Sequence, residues 1–86
     1  MKKQVVVVGL GRFGASVARE LYQMGNDVLA LDTNEALIQE MLGQVTYAVN
    51  ADATNEAVLR ELGVQNFDVG VVGVGTDIQA SILATA

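Results

Sequence analysis

Val5-Val6-Val7-Val8-Gly9-Leu10-Gly11-Arg12-Phe13-Gly14 is the stretch whose reading decides the fold. Four consecutive valines suit a strand buried on both faces, and the glycines at 9, 11 and 14 spell G-x-G-x-x-G directly after it. Nine glycines in a chain of 86 residues make chance triplets easy, so the context carries the weight. The triplet lies between a predicted strand and a predicted helix, and Asp32 closes the next apolar run, 21 positions beyond Gly11. In that setting Gly9 permits a tight turn, Gly11 lets the main chain approach a phosphate, and Gly14 lets the helix pack close to the strand. The free N–H groups at the helix start then point at an anion, assisted by the helix dipole. Asp32 stands where it can accept hydrogen bonds from ribose hydroxyls. The competing reading, a glycine turn and a strand-ending Asp with no ligand, leaves the combined spacing unexplained.

Working outward, strands alternate with helices. The predicted strands are Gln4–Val8, Asp27–Asp32, Thr46–Ala51 and Asp68–Val74. The first predicted helix, Phe13–Met24, places Gly14, Val17, Ala18 and Leu21 on one face, with Gly25 as its C-terminal stop. A second runs from a cap at Thr33 or Asn34 to about Leu42, with Leu37, Ile38, Met41 and Leu42 on its apolar side and Gly43 ending it. Thr54 is the predicted cap of a third, Asn55–Leu62, closed by Gly63. Gly75-Thr76-Asp77 opens a predicted fourth helix with Ile78, Ile82 and Leu83 on its apolar face and Asp77 as cap or first-turn acid.

Such alternation with short loops predicts an α/β, Rossmann-like, doubly wound parallel sheet of strand order 3-2-1-4, with a ligand crevice where the order reverses. Residues 1–86 read as one nucleotide-binding domain without linker, repeat or low-complexity segment. The last predicted helix runs apolar to Ala86 without a cap, and the valine-rich fourth strand would form an open edge. The expectation is the first half or two-thirds of a larger domain, or a partner chain covering that side.

Composition narrows the function classes. A hydrophobic content of 51% with 17% charged residues suits buried strands and not a disordered tail. The net charge of −5, with only Lys2, Lys3, Arg12, Arg19 and Arg60 as scattered cations, argues against nucleic acid as a partner and against anionic membrane. No cysteine is present, so neither a disulfide framework nor thiol chemistry is available. Met1-Lys2-Lys3 precedes an apolar stretch that Gly9, Gly11 and Arg12 interrupt too early for a signal peptide or a membrane span. A soluble cytoplasmic protein is the expectation, and no metal site is read.

Val-Gly-Leu-Gly-Arg-Phe-Gly at 8–14, Asp32, Asn50-Ala51-Asp52-Ala53-Thr54, and Gly73-Val74-Gly75 followed by Ile78-Gln79-Ala80-Ser81 together form one collinear pattern over nearly the whole chain. It resembles the N-terminal nucleotide-binding domain of RCK (regulator of K⁺ conductance) proteins, in particular the cytoplasmic regulatory subunits of Ktr/Trk potassium-uptake systems. The resemblance implies an adenine nucleotide as ligand (ATP, ADP, NAD or NADH). It also implies a homo-oligomer, as a dimer or ring of dimers, on a membrane-embedded K⁺-translocating subunit. The domain would then lie at the inner face of the membrane through that partner. Family members continue with two more strands, a crossover helix and often a C-terminal subdomain, which this sequence does not contain.

The implied binding set is Gly9, Leu10, Gly11, Arg12, Phe13 and Gly14, then Asp32, Thr33 and Asn34, then Ala51, Asp52 and Ala53, and finally Gly73, Val74 and Gly75. Arg12 pairs with a di- or triphosphate, on its own subunit or across a dimer contact, or is a solvated surface arginine. Asp32 repels a 2′-phosphate and no adjacent cation compensates, which argues against NADP. Thr33 and Asn34 reach the ribose or cap the second helix. Asp52 and Ala51 contact the adenine edge, or Asp52 and Thr54 only organise the turn into the third helix. Gly73 and Gly75 leave room for a ligand or serve a plain strand-end turn. Phe13, Tyr22, Tyr47 and Phe67 read as packing groups, with Phe13 the one suited to a subunit contact.

Three function classes follow. The first is a nucleotide-sensing regulatory domain of a potassium transporter or channel. The second is the cofactor half of an NAD-dependent oxidoreductase, and the third a dimerisation domain with a vestigial fingerprint. Against enzymatic chemistry stand the absence of His and Cys and the confinement of lysine to positions 2 and 3. No catalytic residue is assigned, and the intact glycines with Asp32 speak against the vestigial reading.

Overall fold

The valine run forms the middle of the molecule because both of its faces are covered. In the computed structural model, which describes residues 2–74 and 77–82, strand β1 (Gln4–Val8) pairs in parallel with β2 (Asp27–Asp32) on one side and β4 (Val69–Val74) on the other. β2 pairs in parallel with β3 (Tyr47–Asn50), and β4 pairs antiparallel with β5 (Asp77–Ile82). The sheet order is β3-β2-β1-β4-β5. The predicted order 3-2-1-4 is therefore present, with one further strand at its end.

Strand alternation divides the valines between two layers. Val5 and Val7 join Val28, Ala30 and Val71 beneath helices α1 (Arg12–Gln23) and α2 (Glu35–Met41), which contribute Ala18, Ile38 and Met41. Val6, Leu29 and Leu31 face the opposite layer. There α3 (Glu56–Glu61) and a single 3-10 turn at Val64–Asn66 bring Val58, Leu59 and Val64. The chain thus winds outward through β1, β2 and β3 under one pair of helices, then returns across the other face to place β4 beside β1. The strand order reverses between β1 and β4, and the cleft expected at that point lies instead to one side of it, over the ends of β1, β2 and β3.

One local contact governs how α1 meets the sheet. A Cβ added at Gly14 would lie 1.8 Å from the carbonyl oxygen of Gly9, so the first turn of α1 rests directly on the loop backbone. Gly9 adopts φ +92, and a Cβ there would lie 2.7 Å from the carbonyl oxygen of Gly73 in β4. A Cβ at Gly73 would in turn stand 3.2 Å from the Gly9 oxygen. Three backbones therefore meet without side chains between them. Leu10, only 2% exposed, drives its side chain into the core from the same loop, where full burial of a leucine contributes about 1.5–3 kcal/mol.

Most boundaries lie within a residue of those predicted, and Gly25, Gly43 and Gly63 all take positive φ where helices stop. Four expectations need correction. The predicted fourth helix is strand β5: Asp77 stands opposite Val74 and Ile82 opposite Val69. The spacing of Ile78, Ile82 and Leu83 suits a helix, but the open edge of β4 offers N–H and C=O groups that the next segment satisfies. Leu83 lies outside the described residues. The cap of α3 is Asn55, whose side-chain oxygen accepts from the N–H groups of Ala57 and Val58, and not Thr54. Leu42 leaves the helix with ψ 129 and is exposed. Phe13, Tyr22 and Tyr47 are likewise exposed, whereas Phe67 packs against the second layer as predicted.

The glycine contact sets an expected outcome. Gly14→Ala should destabilise the fold by about 3 kcal/mol or more, because a backbone carbonyl cannot yield as a side chain can. Gly25→Ala, at φ +98 with open space around it, should cost about 1 kcal/mol from backbone strain alone. Urea unfolding of both variants checks the difference; equal losses would remove the close contact as its cause.

Candidate functional site

A cleft opens at the carboxyl ends of β1, β2 and β3, where each strand runs into a loop. It is a cleft of about 230 Å³ lined by Val8 and Gly9 from β1, Leu31 to Thr33 from β2, and Ala51 to Thr54 after β3. The register explains the gathering. Val8 pairs with Leu31 and Asp32 with Asn50, so the three strands end within one residue of one another.

Asp32 occupies the centre of this arrangement. Its Oδ2 accepts a 2.8 Å hydrogen bond from the N–H of Leu10 in the glycine loop, and its Oδ1 accepts from the N–H of Asn34 at 2.9 Å. Its own backbone carbonyl accepts from Ala51 N–H at 3.1 Å. One residue therefore ties the ends of β1, β2 and β3 together. An ionised carboxylate has about four lone-pair sites, so acceptor capacity on both oxygens is left for a further donor. Thr33 lines the cleft with an exposed side chain, whereas Asn34 is committed as the cap of α2, accepting from Ala36 N–H.

The three helix starts differ in electrostatic design. α2 and α3 are capped by Asn34 and Asn55 and carry Glu35 and Glu56 in their first turns, which offset the positive ends of the helix dipoles. α1, starting from Gly11, has no side-chain cap and no acid in its first turn; its first residue is Arg12. Positive potential from the helix end and from a guanidinium is thus left uncompensated at one place only among the described helices. A Cβ added at Gly11 would meet no protein atom within 4 Å, so the loop faces open space there. Gly11, Arg12 and Phe13 are exposed and do not line the cleft itself, and among the described residues no ion pair engages Arg12.

The other predicted positions divide. Leu10 turns its side chain away into the core and offers the site only backbone. Gly14 and Gly73 are packed against Gly9, which explains them by close backbone approach. Ala51 and Ala53 form part of the wall opposite Gly9. Val74 belongs to β4 with Asp77 as its partner, and Gly75 lies outside the described residues. Asp52 is exposed on the wall, its Oδ1 accepting from the hydroxyl of Thr54 at 2.6 Å and from Thr54 N–H at 2.9 Å. Those two donors, the hydroxyl first, hold the Asp52 carboxyl below the usual aspartate range. Thr54 is thus a wall residue and an organiser of Asp52, a role that its place inside Asn50-Ala51-Asp52-Ala53-Thr54 signals. Val8 and Leu31 also line the cleft and are missing from the predicted set; each immediately precedes a predicted residue at the end of a paired strand. Behind the wall, Glu35 accepts from Asn50 and Gln39, which lowers its carboxyl as well, Asn50 contributing most.

Comparison with known proteins places these features in a lineage. The family model described as the TrkA-N domain matches residues 5–86. The chain is 48% identical over 83 residues to "Ktr system potassium uptake protein A" of Bacillus subtilis, covering 96% of this chain and 37% of that protein. It is 46% identical over 85 residues to "Ktr system potassium uptake protein C" of the same organism, covering 99% of this chain and 38% of that protein. Identity to "Trk system potassium uptake protein TrkA homolog" of Pyrococcus abyssi is 33% over 81 residues, covering 93% of this chain and 35% of that protein. The chain spans little more than a third of the length of these relatives.

The lowered Asp52 carboxyl yields a pH dependence whose sign is fixed. Its folded value lies below its unfolded one, so its contribution to stability is present above the unfolded value and lost as pH falls through the folded one. Carboxyl-carbon NMR titration should give Asp52 a midpoint below that of an ordinary aspartate. Thr54→Val, which removes the hydroxyl and keeps the N–H, should move that midpoint upward; an unmoved midpoint would exclude the hydroxyl as the main cause.

Proposed function

The chain belongs to the TrkA-N domain family, and from that membership and the geometry of the cleft we propose that it is the nucleotide-sensing domain of a regulatory subunit in a potassium-uptake system. The observation that carries this reading is the uncapped start of α1, with Arg12 in its first turn, beside a cleft whose floor is the Asp32 carboxylate. An anion completes the first and a pair of hydroxyls the second. A nucleotide carries both.

The ligand is an adenine nucleotide: ATP, ADP, NAD or NADH. Phosphate oxygens rest on the N–H groups of the loop from Gly9 to Gly14, with Arg12 pairing to them on its own subunit or across a subunit contact. Asp32 accepts from the ribose hydroxyls and rejects NADP, because a 2′-phosphate would meet its charge. The base lies along Ala51, Asp52 and Ala53. Gly73 borders the loop from the β4 side. The role is regulatory and not catalytic: a sequence without His or Cys offers binding groups and no general acid–base pair suited to hydride chemistry.

Function follows by population shift. The domain works as a homo-oligomer at the cytoplasmic side of a membrane-embedded K⁺-translocating subunit. Ligands of different phosphate charge favour different packings between copies, and the coupling is bounded by their differential affinity, typically about 1–3 kcal/mol. The exposed Phe13, next to Arg12, is suited to report phosphate occupancy to a neighbouring copy.

Titration calorimetry with ATP, ADP, AMP, NAD, NADH and NADPH, with oligomer mass measured in parallel, tests the reading. Binding of the first five with weak or absent NADPH binding is the expected result; no heat from any of them at millimolar concentration overturns it. Arg12→Ala should weaken ATP and ADP by more than it weakens adenosine. Asp32→Ala should weaken adenosine itself by about 1.5–3 kcal/mol, the range for a hydrogen bond to a charged acceptor.

A further inference from the structure

We propose that Asp32 is a positioning residue for the phosphate-binding loop, so that the carboxylate reading the sugar also sets the loop that grips the phosphates. The inference rests on the nucleotide reading above and adds a second role to one of its residues. Its basis is the bond from Leu10 N–H to Asp32 Oδ2, 2.8 Å long.

The loop needs such a fixing. Gly9 and Gly11 flank Leu10, and two glycines give this short segment wide backbone freedom. Leu10 is the residue of the turn whose side chain can anchor it, and it is held through both side chain and N–H. Its side chain is 2% exposed within the α1–α2 layer, and its N–H is bound by Asp32. Gly9 N–H is held in the same direction by the carbonyl of Leu31 at 2.8 Å. Two successive amides of the loop thus dock on two successive residues of β2, one through backbone and one through the Asp32 side chain. The next residue, Gly11, faces open space, with no protein atom within 4 Å of the place a Cβ would take.

Asp32 is itself fixed from the other side. Its Oδ1 accepts from Asn34 N–H at 2.9 Å, where the chain turns into the capped α2. The carboxylate plane is therefore set by two backbone amides from different loops. Each oxygen keeps further acceptor capacity, so the ribose hydroxyls add to these bonds and need not displace them. Sugar and phosphates are then read by one connected unit, and tightening at either end stiffens the other.

This makes a prediction opposite in sign to simple electrostatics. Asp32 is negative and close to an anion site, so a carboxylate that only reads the sugar repels phosphate. Removing it would then leave unchanged, or raise, the ratio of ATP affinity to adenosine affinity. If Asp32 positions the loop, removing it lowers that ratio. Asp32→Ala should reduce the ratio at least about fivefold, in keeping with the loss of one hydrogen bond that orders the loop. The ratio is obtained by calorimetry on the wild-type chain and on the variant. A global loss of stability scales both affinities alike and leaves the ratio where it was.

A second measurement needs no variant and no nucleotide. In the ligand-free wild-type protein, the Leu10 amide should exchange with solvent at least tenfold more slowly than the uncapped Arg12 amide. A reduced ratio with a protected Leu10 amide supports the proposal. An unchanged or increased ratio, or a Leu10 amide exchanging as fast as that of Arg12, overturns it. A wild-type chain that binds no nucleotide at all while protecting Leu10 overturns the nucleotide reading and leaves the clamp standing as a structural element.

Discussion

Everything at the cleft end of this domain depends on a contact between backbone and backbone. The first turn of α1 lies against the carbonyl of Gly9 so closely that a single methyl group at position 14 would have to occupy the oxygen's place. The helix therefore starts beside the end of β1. Gly73 completes the contact from β4. The switch point of the sheet is thus a junction of three bare backbones. Its tightness comes from what the sequence omits there.

On this junction the molecule builds an unequal distribution of charge. Two of its described helices begin with an asparagine cap and a glutamate, and both ends are electrostatically complete. The third begins with neither and adds an arginine. A chain of net charge −5 has acids to spare, so an uncompensated positive end stands against the general trend of the composition. The Asp32 carboxylate lies one strand away and takes its two known donors from the backbone. Positive and negative groups that never pair directly are the arrangement that a phosphorylated sugar can bridge.

Much of this was legible in the sequence, for definite reasons. Parallel strands buried on both faces must be uniformly apolar, and Val5 to Val8 and Val28 to Leu31 are. Helix stops that require positive φ are marked by Gly25, Gly43 and Gly63 because other residues resist that region. Asn34 was read as one of two capping residues, and the geometry of Ala36 N–H decided between them. The misreadings are equally physical. Asp77 to Ile82 has a pattern compatible with a helix, and the pairing demand of the β4 edge overrode it. Thr54 and Asn55 are both good caps, and only the hydroxyl's engagement with Asp52 shows why the second one serves. Exposure of Phe13, Tyr22 and Tyr47 was invisible, since an aromatic residue carries no mark of which way its helix or strand will turn.

By itself the sequence determined the alternation of strands and helices, the parallel order around the first strand, and the glycine fingerprint with its distant acid. All of these follow from periodicity, turn chemistry and spacing along one chain. Tertiary structure alone decided that the Asp32 carboxylate clasps Leu10 and that the ends of β1, β2 and β3 gather around one cleft. Hydrogen bonds between residues 22 positions apart depend on strand register, and register is set by how whole layers pack. No local pattern can encode a distance that only the folded sheet defines.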